Sequence, residues 1–415
     1  MIAFGILMLH VILLEGLPVS GEPGGAALLQ ANFERDPLKD GWRQGANSGG
    51  KFEGEWAAGQ GAAGTGGLVV RQGYWESPAV PVRPLDYYRV RFQAKNAAGA
   101  YAFAVFVDAD GAELAADVCD GVDAAADWQR REFHFRAHAS AARAKLRFQP
   151  CEGTLAVDDV SLAPADAAGA AAWVKALAAA NPPVSYVPPA ARWDLLPRTR
   201  ARLRGGGVLR IVILGDSIAN DTASSLFELP LGEAWPKTRI EVIPSVRGGA
   251  GCQFYQEEGR VREYVLRFRP DLVIIAGISH GYDAEAIRRV IRQVRAEQGP
   301  EILVLTDAVA PEERMREGYL KFTKLPLGQA QENVAQFRAR LERVVGEEKV
   351  ALLDMRDAWN DFVRQSPPPL AWYMRDAIHA NSRGKQVLGE ILRRYLGPDA
   401  GADAHLIPHP APVTL

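Results

Sequence analysis

The chain has 415 residues, with 48 Lys and Arg against 50 Asp and Glu and a formal net charge of −2. That length exceeds what one hydrophobic core organises, so two domains are expected. The near-neutral balance gives no footprint for nucleic acid or an anionic membrane surface as partner. Three cysteines, Cys119, Cys151 and Cys252, are too few for a disulfide scaffold and lack zinc-ligand spacing.

Residues 1–21 include an apolar stretch from Ile2 to Leu14, too short to span a bilayer, which takes ~20 apolar residues. With small residues Val19 and Gly21 ahead of Glu22, the segment reads as a signal peptide. The mature protein is then secreted, periplasmic or at the cell surface, with no stable membrane span, and Cys119 and Cys151 are able to pair there. No Lys or Arg precedes the stretch, so a misassigned start or a buried N-terminal strand is the alternative.

Across residues 22–163 apolar residues alternate in short runs, such as Tyr88-Arg89-Val90-Arg91-Phe92 and Ala102-Phe103-Ala104-Val105-Phe106. Period two with Gly- and Asp-rich connectors predicts an all-β antiparallel sandwich. Residues 164–206 change character: an Ala-rich stretch, Ala167 to Ala180, able to form one helix, leads into Asn181-Pro182-Pro183 and Pro188-Pro189, the composition of a stiff linker. From 207 to 397 buried-type strands (Val208 to Leu214, Arg239 to Pro244, Asp271 to Ala276, Glu301 to Thr306, Lys349 to Leu353) alternate with amphipathic helical segments. This predicts an α/β domain of three layers, α/β/α, around a parallel sheet. Residues 398–415 form a polar tail containing prolines.

The first of those strands runs into Gly215-Asp216-Ser217 ahead of a helical segment. That places Ser217 at the C-terminal end of a parallel strand, where open α/β sheets bind ligands and helix N–H groups meet negative charge. A serine hydroxyl needs a base to act as nucleophile. Of the seven histidines, His379 follows Asp376 by three residues, so one short loop can present a carboxylate to Nδ1 while Nε2 faces a hydroxyl. His10, His134, His138, His405 and His409 have no such partner nearby and are given no role.

Those blocks, Gly215-Asp216-Ser217-Ile218 and Asp376-Ala377-Ile378-His379, resemble the first and last motifs of the GDSL/SGNH hydrolase family. The resemblance covers about Val208 to Gly397. It implies Ser217 as nucleophile, His379 as base and Asp376 as its orienting acid, with the N–H groups of Ser217 and Gly249, or its neighbour Gly248, receiving the oxyanion. Asp216, Gly248 and Asn220 then border the substrate. The family's third motif, G-x-N-D, is replaced here by Gly277-Ile278-Ser279-His280, so the usual Asn donor is missing. Three readings stay open: donation by Ser279 or His280, donation by Asn220, or a weakened or inactive domain. His280 has the alternative of a packing histidine.

The N-terminal region, with Asn32-Phe33-Glu34 near its start and Asp158-Asp159-Val160 near its end, resembles jelly-roll carbohydrate-binding modules. That implies a structural calcium held by Glu34 and Asp159, or simple capping acids, and a sugar-stacking face drawn from Trp42, Trp56, Tyr74, Trp75 and Trp128. The combined expectation is a serine esterase removing acyl groups, acetyl first, from a carbohydrate or polysaccharide, with no cofactor for the chemistry. The alternatives are a lipase or thioesterase, and a glycan-binding surface protein with a weakened hydrolase domain.

Overall fold

The computed structural model describes residues 26–47, 50–297, 299–306, 327–399 and 403. The signal peptide expected at 1–21 lies outside them. Two antiparallel sheets make the N-terminal sandwich. One orders β10 (Ala125–Arg136), β7 (Tyr87–Asn96), β12 (Leu155–Ala165), β4 (Gly67–Gln72) and β3 (Glu53–Ala57), with β1 (Leu29–Ala31) against β12. The other orders β2 (Arg43–Gly45), β5 (Tyr74–Glu76), β11 (Arg143–Pro150), β8 (Ala100–Val107) and β9 (Val118–Val122), with β6 (Val80–Pro81) against β11.

Alternation along β7 buries Tyr88, Val90, Phe92 and Ala94 on one face, as period two requires. The core between the sheets claims Trp42 and Trp75, which are 3% and 1% exposed. Trp42 packs against Phe33 and Phe148, and Trp75 against Phe52 with its indole N–H on the Val69 carbonyl. Both are therefore core residues and not a sugar-stacking face, because filling an inter-sheet layer takes the largest apolar side chains available.

Asp159 Oδ2 accepts from Gln93 at 2.7 Å, while the buried Asp158 is satisfied by Ala62 N–H, Thr65 Oγ1 and its neighbour's N–H. Among the described residues no group of three or more His, Cys, Asp or Glu side chains is placed to hold a metal ion. Cys119 is buried, Cys151 exposed, and neither is bridged.

The C-terminal domain is built on five parallel strands ordered β14 (Thr238–Val246), β13 (Gly207–Gly215), β15 (Leu272–Ile275), β16 (Glu301–Leu305) and β17 (Ala351–Leu353). Ile211, Val212, Ile213 and Leu214 are all fully buried, as expected of a strand covered on both faces. The order places a topological switch point at β13 and β15, so the crevice opens at their C-terminal ends.

The segment expected as a linker is packed structure. Helix α1 (Ala167–Ala179) is capped by Asp166 and lies between the sandwich and the C-terminal helix Ser382–Leu396. Helix α2 (Pro197–Gly205) and the stretch before it bury Trp193, Leu196 and Leu203 in the same core as Ile211. The prolines stiffen a chain already docked. The expected tail also holds on: Asp399 pairs with Arg192 and Arg200, and Asp403 with Arg200 and Arg204.

The two domains share an extensive polar interface. Ahead of the C-terminal helix, Arg375 abuts Gly121 of β9, where a Cβ would lie 2.8 Å from Arg375 Cβ. Only glycine allows that approach. In the same area Lys385 Nζ donates to the Cys119 carbonyl, Ser382 Oγ to Asp120, and Arg383 pairs with Asp123 at 3.0 Å. Elsewhere Tyr87 and Arg136 reach the buried Glu228. His138, given no role from sequence, accepts Ser140 N–H at Nδ1 and donates from Nε2 to the Pro244 carbonyl at 3.0 Å. Burial pushes its pKa down to about 4, so it serves as a neutral interdomain donor.

Candidate active site

Ser217 opens helix α3 (Ser217–Ala223) directly after β13. As the first helical residue it has a backbone N–H with no intrahelical acceptor. The segment Arg375–Ala380 turns back on itself through Arg375 N–H to the His379 carbonyl, 3.0 Å, and a bridge between Met374 and Ala380. That turn aims His379 Nε2 at Ser217 Oγ, 2.8 Å away, and puts Nδ1 2.9 Å from each Asp376 oxygen.

Asp376 also accepts the N–H groups of Ile378 and His379, at 3.0 and 2.9 Å. Its partial burial favours the neutral form, but the hydrogen bond and charge of His379, the Ile378 N–H and Arg375 outweigh that and hold it down to about 2. A permanently ionised carboxylate fixes the tautomer with the proton on Nδ1 and leaves Nε2 to take a proton from the hydroxyl. Arg375 is itself anchored by Asp221 at 2.6 Å and the Ala380 carbonyl at 2.8 Å. Asp221 Oδ2 in turn accepts Ala380 N–H.

The serine faces a cavity of about 290 Å³. Ser217, Asn220, Val246, Gly248, Arg375, Asp376 and His379 line it from the C-terminal domain, and Tyr101, Phe103, Ala115, Asp117 and Cys119 from the sandwich. Tyr101 OH lies 3.4 Å from Asp376 Oδ2 and 3.2 Å from Cys151 Sγ. Burial, the Cys151 contact and the Asp376 charge all raise its pKa, so the phenol stays protonated. Cys119 is pushed up to about 12 by burial, which leaves it an unreactive thiol beside the serine.

The other residues expected from sequence divide. Gly248 lines the cavity, and Gly249 follows in the turn closed by Ala250 N–H to the Arg247 carbonyl, with φ +69°. Asp216 is not a substrate contact. It is buried, with Oδ1 accepting Ile218 and Ala219 N–H and Oδ2 accepting Ile278 and Ser279 N–H at 2.8 and 2.7 Å. Four N–H donors make it a structural tie between the serine turn and the loop after β15.

Ser279 and His280 are not among the cavity-lining residues. The Ser279 carbonyl packs onto Gly251, and the buried His280 accepts Cys252 N–H at Nδ1, 3.3 Å, which is the packing role left open above. Asn220 does line the cavity, but its Nδ2 is taken by the Asp117 carbonyl at 2.5 Å. Trp372, 42% exposed, is an exposed aromatic three residues before Arg375, with the Arg383 guanidinium 4.0 Å over its ring.

Sequence reasoning missed Tyr101, Asp117, Arg375 and Asp221. Arg375 and Asp221 adjoin the motifs and were visible as their neighbours. No spacing in the chain announces that β8 and the β8–β9 connection wall the site.

Residues 213–387 match the model of the GDSL-like lipase/acylhydrolase family. No curated protein matches the sequence. Among solved structures, the chain is similar to a two-domain esterase active on acetylated mannans at 19% identity and TM-score 0.38, over 54% of this chain and 58% of that one. It is also similar to the CBM22-1 xylan-binding domain of Paenibacillus barcinonensis Xyn10C at 16% identity and TM-score 0.28, over 35% and 99%. A third likeness is to the enzymatically active domain of tailspike protein 4 of bacteriophage CBA120, at 15% identity and TM-score 0.27, over 32% and 20%. The chain thus spans 20% of the tailspike and 58% of the esterase. At these scores the likenesses bear on neither substrate nor partner.

Proposed function

Because residues 213–387 of this chain are a GDSL-like lipase/acylhydrolase domain, a carboxylic ester hydrolase, we propose that the whole protein is a serine esterase removing short acyl groups, acetyl foremost, from carbohydrate. The observation that carries this is the continuous Asp376–His379–Ser217 relay, with Nε2 2.8 Å from Oγ. Ser217 Oγ attacks the ester carbonyl as His379 Nε2 takes its proton. The tetrahedral oxyanion is received by the N–H groups of Ser217 and of Gly248 or Gly249. Collapse expels the alcohol, protonated by His379, and water repeats the sequence on the acyl-enzyme.

A short acyl group fits the small cavity around Ser217, whose whole volume of about 290 Å³ lies just below the roughly 300 Å³ from which small-molecule sites run and must hold part of the alcohol as well. Carbohydrate is favoured by the sandwich whose strands wall that cavity, and the apolar leader at 1–21 would deliver the enzyme to extracellular polymers. One observation favours the glycan-binding reading instead. The third oxyanion donor has no replacement in the cavity from Ser279 or His280, and one donor is worth ~10²–10³ in rate.

Hydrolysis of 4-nitrophenyl acetate and of acetylated xylan, by wild type and Ser217→Ala, separates the two. Esterase activity that falls at least ~10³-fold in the variant supports the proposal. Wild type inactive on both substrates, yet retained on xylan in a pull-down, supports the binding protein.

A further inference from the structure

Asp117 projects from the connection between β8 and β9 into the cavity that holds Ser217. Its backbone carbonyl is fixed by Asn220 Nδ2. Its carboxylate meets one side-chain donor among the described residues, the same Nδ2, at 3.5 Å, the outer limit of a hydrogen bond. The nearby cations are committed elsewhere, Arg375 to Asp221 and the Ala380 carbonyl, and Lys385 to the Cys119 carbonyl. Half-buried at the wall of the cavity and held there by its own backbone carbonyl, the carboxylate offers acceptor oxygens to a ligand that brings donors.

We propose that Asp117 is a specificity residue that accepts a hydrogen bond from a free hydroxyl of the sugar ring bearing the ester. This rests on the esterase reading and names its substrate class: a partially acylated glycan whose hydroxyl lies within one ring of the acyl group. The reach follows from the cavity, since Asp117 and Ser217 line the same 290 Å³. The N-terminal sandwich thereby recognises substrate at the reacting centre itself, in addition to any remote glycan contact. Burial raises the Asp117 pKa, opposed by the charges of Arg375 and Lys385. Substrate hydroxyl donation favours the ionised form.

The test compares kcat/KM on partially acetylated xylo-oligosaccharides with kcat/KM on 4-nitrophenyl acetate, which has no hydroxyl to offer. Both substrates report on the same folded fraction, so partial unfolding of a variant leaves their ratio unmoved. In Asp117→Ala the ratio should fall about tenfold to a hundredfold, the worth of a hydrogen bond to a charged acceptor. In Asp117→Asn, which keeps a neutral acceptor, it should fall by about threefold to tenfold. An unchanged ratio in both variants overturns the assignment, as does wild type active on the aryl ester and inactive on the oligosaccharides. Wild type inactive on both substrates overturns the esterase reading, and this assignment falls with it.

Discussion

Asp376 keeps its charge in a partly buried site because each of its oxygens has a purpose. Both meet His379 Nδ1, Oδ1 takes two backbone N–H groups, and Oδ2 receives Tyr101 OH. With a folded pKa of about 2, below the ordinary 3.8, its stabilising contribution is complete above the ordinary carboxylate range and lost as pH falls through about 2. Asp376→Asn should therefore lower kcat by about 10³–10⁴-fold, by presenting Nδ1 with a donor and turning the imidazole to the wrong tautomer. Steady-state turnover of 4-nitrophenyl acetate measures this, and a loss under tenfold would mean that the imidazole is oriented by something else. The hydrogen-bonded arrangement of Ser217, Asp376 and His379 was legible in the sequence because a strand end and a short loop fix their directions locally. The direction of Trp42, Trp75 and Asp216 depends on contacts distant in the chain, so sequence assigned them to ligand and the fold assigns them to packing. Tyr101 and Asp376 are 275 residues apart, a separation no local pattern encodes.

Strand β9 and the helix Ser382–Leu396 meet through a carboxylate that is expensive to ionise. Asp120 accepts from Ser382 Oγ at that helix's first turn, and burial pushes its pKa up to about 6 against the opposing charge of Lys385, with Asp123, Arg375 and Arg383 also facing it. Raised above 3.8, the folded group holds a proton that the unfolded chain has already released. Stability therefore declines as pH rises from about 4 to 6 and levels off above. Asp120→Asn keeps the hydrogen-bond acceptor and removes the ionisation. The variant should gain ~1–3 kcal/mol over wild type at pH 8 relative to pH 4.5, the span of a two-unit shift. Thermal melts at the two pH values read this out, and an equal difference at both would show that Asp120 does not titrate in the interface. The elements themselves were readable: continuous apolar runs such as Ile211–Leu214 and the amphipathic helix Ala284–Glu297 follow directly from composition and period. The stretch between the domains was not, since proline and alanine content describes local stiffness and says nothing about Trp193 or Leu203 inserting into a core.

At the scale of the molecule, the sandwich and the α/β layer form one working unit, because residues of both close the cavity around Ser217. Two truncations distinguish what each boundary does. A chain starting at residue 207 loses Arg192, which binds the Tyr395 and Gly397 carbonyls, together with Trp193, Leu196 and Leu203 from the core. Large core deletions cost several kcal/mol each, on the order of 3–5 for a tryptophan, against a total of only about 5–15, so this chain should not fold. A chain starting at residue 166 keeps them together with α1, and gives up the interface. Its Glu228 loses Tyr87 and Arg136 but gains water, so the fold should survive. The cavity then loses Tyr101 and Phe103 and opens on one side. Removing that wall should erase much of the proposed preference for short acyl chains. The ratio of kcat/KM for 4-nitrophenyl acetate over the octanoate should fall by about tenfold or more, since each methylene excluded or admitted is worth ~1–3 kcal/mol in a fitted pocket. If the truncated enzyme folds and keeps the full-length ratio, acyl length is set within the α/β domain, and the sandwich wall acts on the alcohol side of the ester alone.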